Sequence, residues 1–313
     1  MTAARRATQA LLTLFGASVL VWALVPLAPG DPASRVLSAR GLAHPKPAEI
    51  AAVRAELDLD RPLAPRYFRW LRRAVRGDLS DSYRSGRPVA AEIGTRLPAT
   101  ALLAGLALAI ALVVAVGAAL LGAAFRGRWP DELLRGTMLL FAALPAFLVG
   151  VLLLEVVVVG GGYGSVVSDG SVRTALLPAL CLAIAIAPAW ARLLRAGLLE
   201  ALTAPYVLVA SARGASPARQ LLVHALPNAA LPFITSVGMS VSAVLGGAAI
   251  VETVFTWPGI GRYAVEAIGA RDLPVIQGFT LMAVLLYVAT SLLVDVIGAR
   301  IDPRRTAAAS AAR

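Results

Sequence analysis

The sequence predicts an all-α polytopic membrane protein with six transmembrane helices. Two observations carry this. The 313 residues are 58% hydrophobic and only 15% charged, far from the balance of a soluble domain. The charges also cluster, leaving apolar runs long enough to cross roughly 30 Å of hydrocarbon. Several chemistries are excluded at once. The single cysteine, Cys181, lies in an apolar run and rules out an internal disulfide or a cysteine-rich metal site. The one lysine, Lys46, sits in a Pro-rich loop, and no Gly-x₄-Gly-Lys-Ser/Thr string follows a strand anywhere, so the chain carries no ATP-binding loop of that kind. His44 and His224 are too far apart to suggest a shared metal, and no cofactor is expected.

Arg5 and Arg6 precede the apolar run Leu11–Ala28, which reads as an uncleaved first span with its N-terminus in the cytoplasm. Residues 33–97 form the long polar interval. Pro47 opens a helix with Ile50, Val53 and Leu57 on one face. Pro65 opens another, with Tyr67, Trp70, Leu71, Ala74 and Val75 as an apolar stripe against Arg66, Arg69, Arg72, Arg73 and Arg76, and Gly77 as its stop. Such a basic amphipathic helix suits the membrane interface, its arginines reaching headgroups. Pro88 begins a lead-in helix, and the second span runs over about 99–124. The third covers about 134–159 and contains Pro145 and Glu155. Gly160–Gly164 is an external turn, and the fourth span covers about 175–194. The fifth, about 228–250, holds small residues including Gly246 and Gly247, which permit either close helix approach or an open pathway. Phe255 and Trp257 flank the Pro258-Gly259 turn and suit a membrane interface. The sixth span is about 275–297, and the Ala-rich tail from Thr306 is expected to be disordered.

One polar stretch, Glu200–Pro232, interrupts the apolar runs. Tyr206–Ala212 reads as a short helix that Gly214 ends in the left-handed conformation. Ser216-Pro217 starts a second, Ser as cap and Pro in the first turn, which runs to Leu226; Pro227 marks a change of direction. Two short helices with a sharp turn make a compact knob, suited to docking. This stretch resembles the cytoplasmic coupling loop of permease subunits of bacterial ATP-binding-cassette importers. Gly214 takes the family's glycine position and Leu226-Pro227 its Leu-Pro position at the right spacing. The Glu-Ala-Ala triplet falls on Leu208, Val209 and Ala210, and only Ala210 matches. The wording of residues 206–232 is similar to the peptide and nickel branch, on the side of the dipeptide "B" permeases. Pro29–Pro32, Leu57–Pro62, Arg76–Ser80, Tyr83–Val89, Val251–Arg262, Arg271–Pro274 and Gln277-Gly278 match the same branch, so the resemblance covers roughly residues 10–305. The shortened 160–174 loop departs from it.

The resemblance implies a type I importer transmembrane domain. Its segments are a cytoplasmic N-terminus (1–10), the first helix (11–28), an extracytoplasmic helical region (29–97), a five-helix core (98–300) with the coupling loop at 200–227, and a cytoplasmic tail (301–313). Charge placement agrees. The short cytoplasmic segments hold thirteen arginines against Asp131, Glu132, Glu200 and Asp302, whereas the two short external ones hold only Arg173, Arg262 and Arg271; the long external interval also holds thirteen basic residues, but the rule applies weakly to loops of that length. That placement explains most of the net charge of +11 without nucleic acid. The partners implied are a sister permease completing a heterodimer, two ATP-binding subunits, an extracytoplasmic binding protein and membrane lipid. The implied location is the bacterial inner membrane with both termini cytoplasmic. Di- or oligopeptides are the first substrate class implied, then nickel or a nickel chelate, with glutathione-like peptides also open.

No nucleophile–base pair or carboxylate dyad is present, so the chain is not expected to be an enzyme. The residues expected to seat the coupling loop are Leu208, Val209, Ala210, Gly214, Ser216, Pro217, Leu226 and Pro227, with Arg213 and Arg219 facing an acidic surface. Candidates along the pathway or its external gate are Glu155, Gly246, Gly247, Glu252, Trp257 and Asp295, the ionisable ones because charge within a membrane is costly. An ion-coupled secondary transporter remains the alternative. It would show inverted repeats or broken-helix binding segments, with uptake that needs no ATPase partner, and no convincing repeat is evident.

Overall fold

A computed structural model describes residues 3–27, 31–39, 41–42, 44–56, 59–163 and 167–301. Pro29-Gly30, Leu57 and the tail from Thr306 lie outside them, as do the side chains of Asp295 and Arg300. Thirteen α-helices and no strands are found among the described residues. Among the described residues five helices are long and apolar enough to cross a membrane, or six when one bent pair counts as a single span. The chain divides into two compact units, residues 1–100 with 258–288, and residues 101–257 with 289–313. The segments read from the sequence follow sides of the membrane, so they describe a different partition.

The first unit contains α1 (Ala3–Leu27), α2 (Pro32–Ala39), α3 (Pro47–Glu56), α4 (Leu63–Val75), the start of α5 (Val89–Ala124), α12 (Ile260–Ala270) and most of α13 (Leu273–Ile301). The helices expected at Pro47 and Pro65 are present, and α2 is an addition. Asp31 explains it: its carboxylate accepts from Ser34 N and Oγ, both at 3.3 Å, in the manner of a cap. Ala33, Val36 and Leu37 of α2 then bury against Val53 of α3. Tyr67 of α4 is buried and shares a hydrogen bond with Ser18 of α1 at 2.8 Å. Val75, placed on the buried stripe from periodicity, is instead exposed, because the helix ends there and Gly77 turns the chain at φ +84°. The lead-in helix and second span are one helix of 36 residues. Pro98 does not break it, because it sits in the interior as a tolerated residue of a long membrane helix.

Two distant pieces of sequence meet in this unit. Asp272 is buried, and its carboxylate accepts from Ser82 Oγ at 2.5 Å, Tyr83 N at 3.1 Å and Arg84 N at 3.3 Å. Arg271, just before it, holds a left-handed φ of +55°, which turns the chain so that Asp272 points inward. Thr100 Oγ1 accepts from Ile260 N at 2.9 Å. Gly278 completes the closure, since a Cβ there would come within 2.8 Å of Val89 Cγ1.

The second unit contains the body of α5, then α6 (Trp129–Ala143), α7 (Ala146–Leu153), α8 (Val172–Leu202), α9 (Pro205–Ala212), α10 (Pro217–Arg219) and α11 (Leu226–Val254). Its core is built from small residues. Ala111, Ala115, Ala119 and Ala123 repeat every four residues along α5, and Ala183, Ala187 and Ala191 do so along α8. Spacing of four keeps them on one helix face, and the small side chains let backbones approach closely. Trp190 is the large anchor, edge-on to Phe233 with centroids 6.1 Å apart and its Nε1 donating to Ser240 Oγ at 3.0 Å.

The third span is not straight. α6 and α7 meet at 102°, with Leu144 extended at ψ 128° before Pro145. Proline disfavours the helical conformation of its predecessor and supplies no N–H, so the break falls where hydropathy alone runs a helix through. The segment Leu154–Gly160 continues α7 as a π-helix.

Candidate functional site

The 200–227 stretch belongs to the second unit and forms the knob expected of it. Its turn is a full Schellman closure: Gly214 stands at φ +82°, Gly214 N donates to Ser211 O at 2.9 Å, and Ala215 N donates to Ala210 O at 3.0 Å. A Cβ on Gly214 would meet nothing within 4 Å. The need for glycine is therefore conformational, not steric. Ser216 caps the next helix, accepting from Arg219 N at 3.3 Å, with Pro217 in its first turn. Gln220 Nε2 reaches back to Ala215 O at 2.7 Å and ties the two arms together.

Beyond Arg219 the structure differs from the expectation. Gln220–Ala225 is π-helical and leads straight into α11, so Pro227 marks no change of direction. A proline at 227 cannot donate to a carbonyl one turn back. The wider π-turn before it accommodates that missing bond without ending the helix. The membrane-length apolar segment accordingly begins at Pro217.

The knob has a dry base and an apolar outer face. Val207, Leu221 and Ala225 are buried, and Leu226 packs against the core cluster that includes Leu194 and Leu198 of α8. A Cβ on Gly197 would lie 3.2 Å from that of Ala229, a measure of how closely α8 and α11 approach. Leu208 and Val209 point outward at 64% and 52% exposure, with Leu222 and Val223 also exposed. Ala210 is half-buried, and Arg213, Ser216, Pro217, Arg219 and Pro227 are exposed or partly so.

A buried ion pair braces α8 on the approach to the knob. Arg195 Nε donates to Asp131 Oδ1 at 2.8 Å and its Nη2 to Oδ2 at 2.6 Å, while Gly127 N donates to Oδ2 at 3.0 Å. Asp131 is 1% exposed, and Gly122 leaves the room for it, a Cβ there falling 3.1 Å from Arg195 Cδ and 3.2 Å from Asp131 Oδ1. In the sequence Asp131 counts only as a cytoplasmic acid and Arg195 only as a span end. Their separation along the chain carries no local signal that they pair.

Of the pathway candidates, Glu252 and Trp257 meet in the bend after α11. Glu155 is exposed on the π-helical segment, and Gly246 and Gly247 leave open space on α11 where a Cβ would meet nothing within 4 Å. Glu252 and Trp257 are both 0% exposed, so neither faces a surface that a solute reaches in this conformation. Trp257 N donates to Glu252 O at 2.8 Å, and Ser168 Oγ donates to Phe255 O at 2.9 Å. Phe255 and Trp257 are thus interior residues of the bend and not interfacial ones. Gly150 explains this, since it leaves a notch that Phe255 fills, with Phe255 Cε2 3.2 Å from where a Cβ would stand. Asp295 lies on α13, its side chain outside the described residues. Glu266 pairs with Arg262 at 2.8 Å on the exposed face of α12.

Residues 111–307 match the family model of binding-protein-dependent transport system inner membrane components. The chain is 38% identical to the glutathione transport system permease protein GsiC of Escherichia coli O6:H1 over 291 residues, covering 93% of this chain and 94% of that protein. The corresponding protein of Shigella flexneri serotype 5b is 37% identical over the same length. Among solved structures, the fold is similar to the MetNI methionine ABC transporter in inward-facing conformations, with a TM-score of 0.57 at 18% identity over 67% of this chain and 96% of that one. It is also similar to an amino acid ABC transporter with histidines, with a TM-score of 0.55 at 18% identity over 67% of this chain and 94% of that one. A helical membrane fold of the type I importer class and a match across most of the chain converge: the chain belongs to the binding-protein-dependent inner membrane component family and is a permease subunit of an ATP-binding-cassette importer.

Proposed function

We propose that this permease imports small peptides, di- and oligopeptides and the glutathione class among them, as one half of a heterodimeric translocation pathway. The observation that supports this substrate class most is the likeness along nearly the full chain to permeases named for glutathione transport. Solute arrives from an extracytoplasmic binding protein, and both termini of the permease lie in the cytoplasm. ATP is hydrolysed in two separate ATP-binding subunits, each engaging one permease knob, and this chain performs no hydrolysis of its own.

The knob geometry suits that role. A nucleotide-driven motion moves membrane helices only if the element it pushes is stiff and continuous with them. Here the capped turn at Gly214–Ser216 is rigid, and the helical run from Pro217 continues into α11. Leu208 and Val209 provide the apolar face for a groove on the partner, and Arg213 and Arg219 flank it for an acidic rim.

The test is uptake into proteoliposomes holding the complete complex and its binding protein. Labelled glutathione and a labelled dipeptide should accumulate only with internal or accessible ATP, and each should compete with the other. Uptake driven by an ion gradient without ATP would contradict the importer mechanism. ATP-driven uptake of nickel with no peptide transport would contradict the substrate class alone.

A further inference from the structure

We infer that the arginine-lined cavity of the first unit binds the phosphate of an anionic phospholipid headgroup. The cavity holds about 730 Å³, within the usual range for ligand sites. Its walls include Arg66, Arg69 and Arg73 of α4 and Arg84 from the loop before α5. Glu56 and Asp81 also line it, so four guanidinium groups face two carboxylates. Arg73 is held by Asp78 at 2.7 Å, which keeps that carboxylate below its ordinary range through the Arg73 hydrogen bond. Arg66 donates to Leu59 O at 3.4 Å, and a guanidinium carries five donors, so this bond leaves most of its fork available. Arg84 makes no ion pair among the described residues.

Position selects a lipid over a soluble anion. Trp22 lines the cavity at one end of the span Arg6–Ala23, and Pro274 and Gln277 line it at one end of the span Leu273–Val294. Gln277 Nε2 donates to Val21 O at 3.3 Å, so these two helix ends stand at the same level. The cavity therefore opens where headgroups lie, with tryptophan at its rim as interfaces favour. Leu63, one turn before Arg66 on α4, is also exposed. A free phosphate gains nothing from that position, whereas a lipid held there engages the arginines with its phosphate while its acyl chains enter the bilayer beside the two spans.

The importer complex would be purified from nanodiscs of phosphatidylcholine with a minor share of phosphatidylglycerol, and retained lipid counted by native mass spectrometry. The wild type should hold phosphatidylglycerol selectively. Arg66→Gln/Arg84→Gln should weaken retention by roughly tenfold or more, as loss of charge-assisted hydrogen bonds implies. Arg72→Gln, outside the cavity wall, should retain it, which separates loss of the site from general damage to α4. Millimolar inorganic phosphate should not displace the lipid. Equal retention by the wild type and the double variant overturns the proposal. So does displacement by inorganic phosphate, which assigns the site to a soluble anion, or displacement by the transported peptide, which assigns it to substrate. None of these outcomes depends on ATP-driven uptake, so the lipid site and the transport reading fail separately.

Discussion

Gly214→Val is expected to abolish ATP-stimulated uptake while leaving the permease inserted and assembled in the membrane. The residue stands at φ +82°, and a Cβ there would have nothing within 4 Å, so valine fits the space but not the backbone. A left-handed conformation costs an ordinary residue about 1–2 kcal/mol and a β-branched one more. The turn would relax toward φ below zero, breaking the bonds from Gly214 N to Ser211 O and from Ala215 N to Ala210 O that set the angle between the knob's two arms. Leu208 and Val209 would then point elsewhere. Gly214→Asn is the discriminating companion, because asparagine visits this region readily and should keep most of the uptake. Uptake per ATP hydrolysed, measured for the three proteins at equal membrane content, checks the order. Equal coupling in wild type and Gly214→Val would remove the turn from the mechanism.

Asp131→Asn is expected to destabilise the second unit by about 3 kcal/mol, the typical loss when one partner of a buried ion pair is removed. The neutral amide leaves the Arg195 guanidinium, itself mostly buried, without its counter-charge while Gly122 and Gly127 still hold the pocket shut. Arg195→Leu/Asp131→Leu should recover much of that loss, since apolar replacement of a whole buried pair is often neutral or better. A thiol-reactive fluorophore gives the readout directly, because the single cysteine, Cys181, is buried in the same unit and reacts only on unfolding. A double variant less stable than Asp131→Asn would show that the pair stabilises by more than mutual neutralisation. Because Arg195 lies in the last two turns of α8, the helix that leads into the knob, the single variant should also lower coupled uptake at temperatures where the protein remains folded.

The features legible in the sequence are those governed by neighbours a few residues apart. Gly214 as a left-handed stop and Ser216 as a cap are local requirements, and the structure shows both. Apolar run length locates the spans for the same reason. It fails at Pro145, where hydrophobicity continues through a 102° break that only the backbone preference of a single dipeptide reveals. It fails in the opposite sense at Pro227, where proline suggests an end but a π-turn lets the helix continue. Phe255 and Trp257 are misplaced by the sequence because aromatic enrichment at interfaces is a tendency of composition. The notch at Gly150 that buries Phe255 lies about a hundred residues away and leaves no trace nearby. Asp272 and Ser82 illustrate the general limit: Asp272 falls in a string that resembles the family and Ser82 beside one, yet their hydrogen bond joins positions 190 residues apart and is visible only in the fold.

If the knob built by residues 205–227 docks on an ATP-binding subunit, site-directed crosslinking from Leu208→Cys will capture the contact, since Leu208 is exposed and the native Cys181 is buried and silent. In the assembled importer, a short bifunctional reagent should join this position to the ATP-binding subunit, with a yield that changes between nucleotide-free and ATP-bound states. Phe68→Cys, exposed on α4, should give no such product. An intact, transport-active complex in which Leu208→Cys never reaches the ATP-binding subunit would contradict the docking role of the knob.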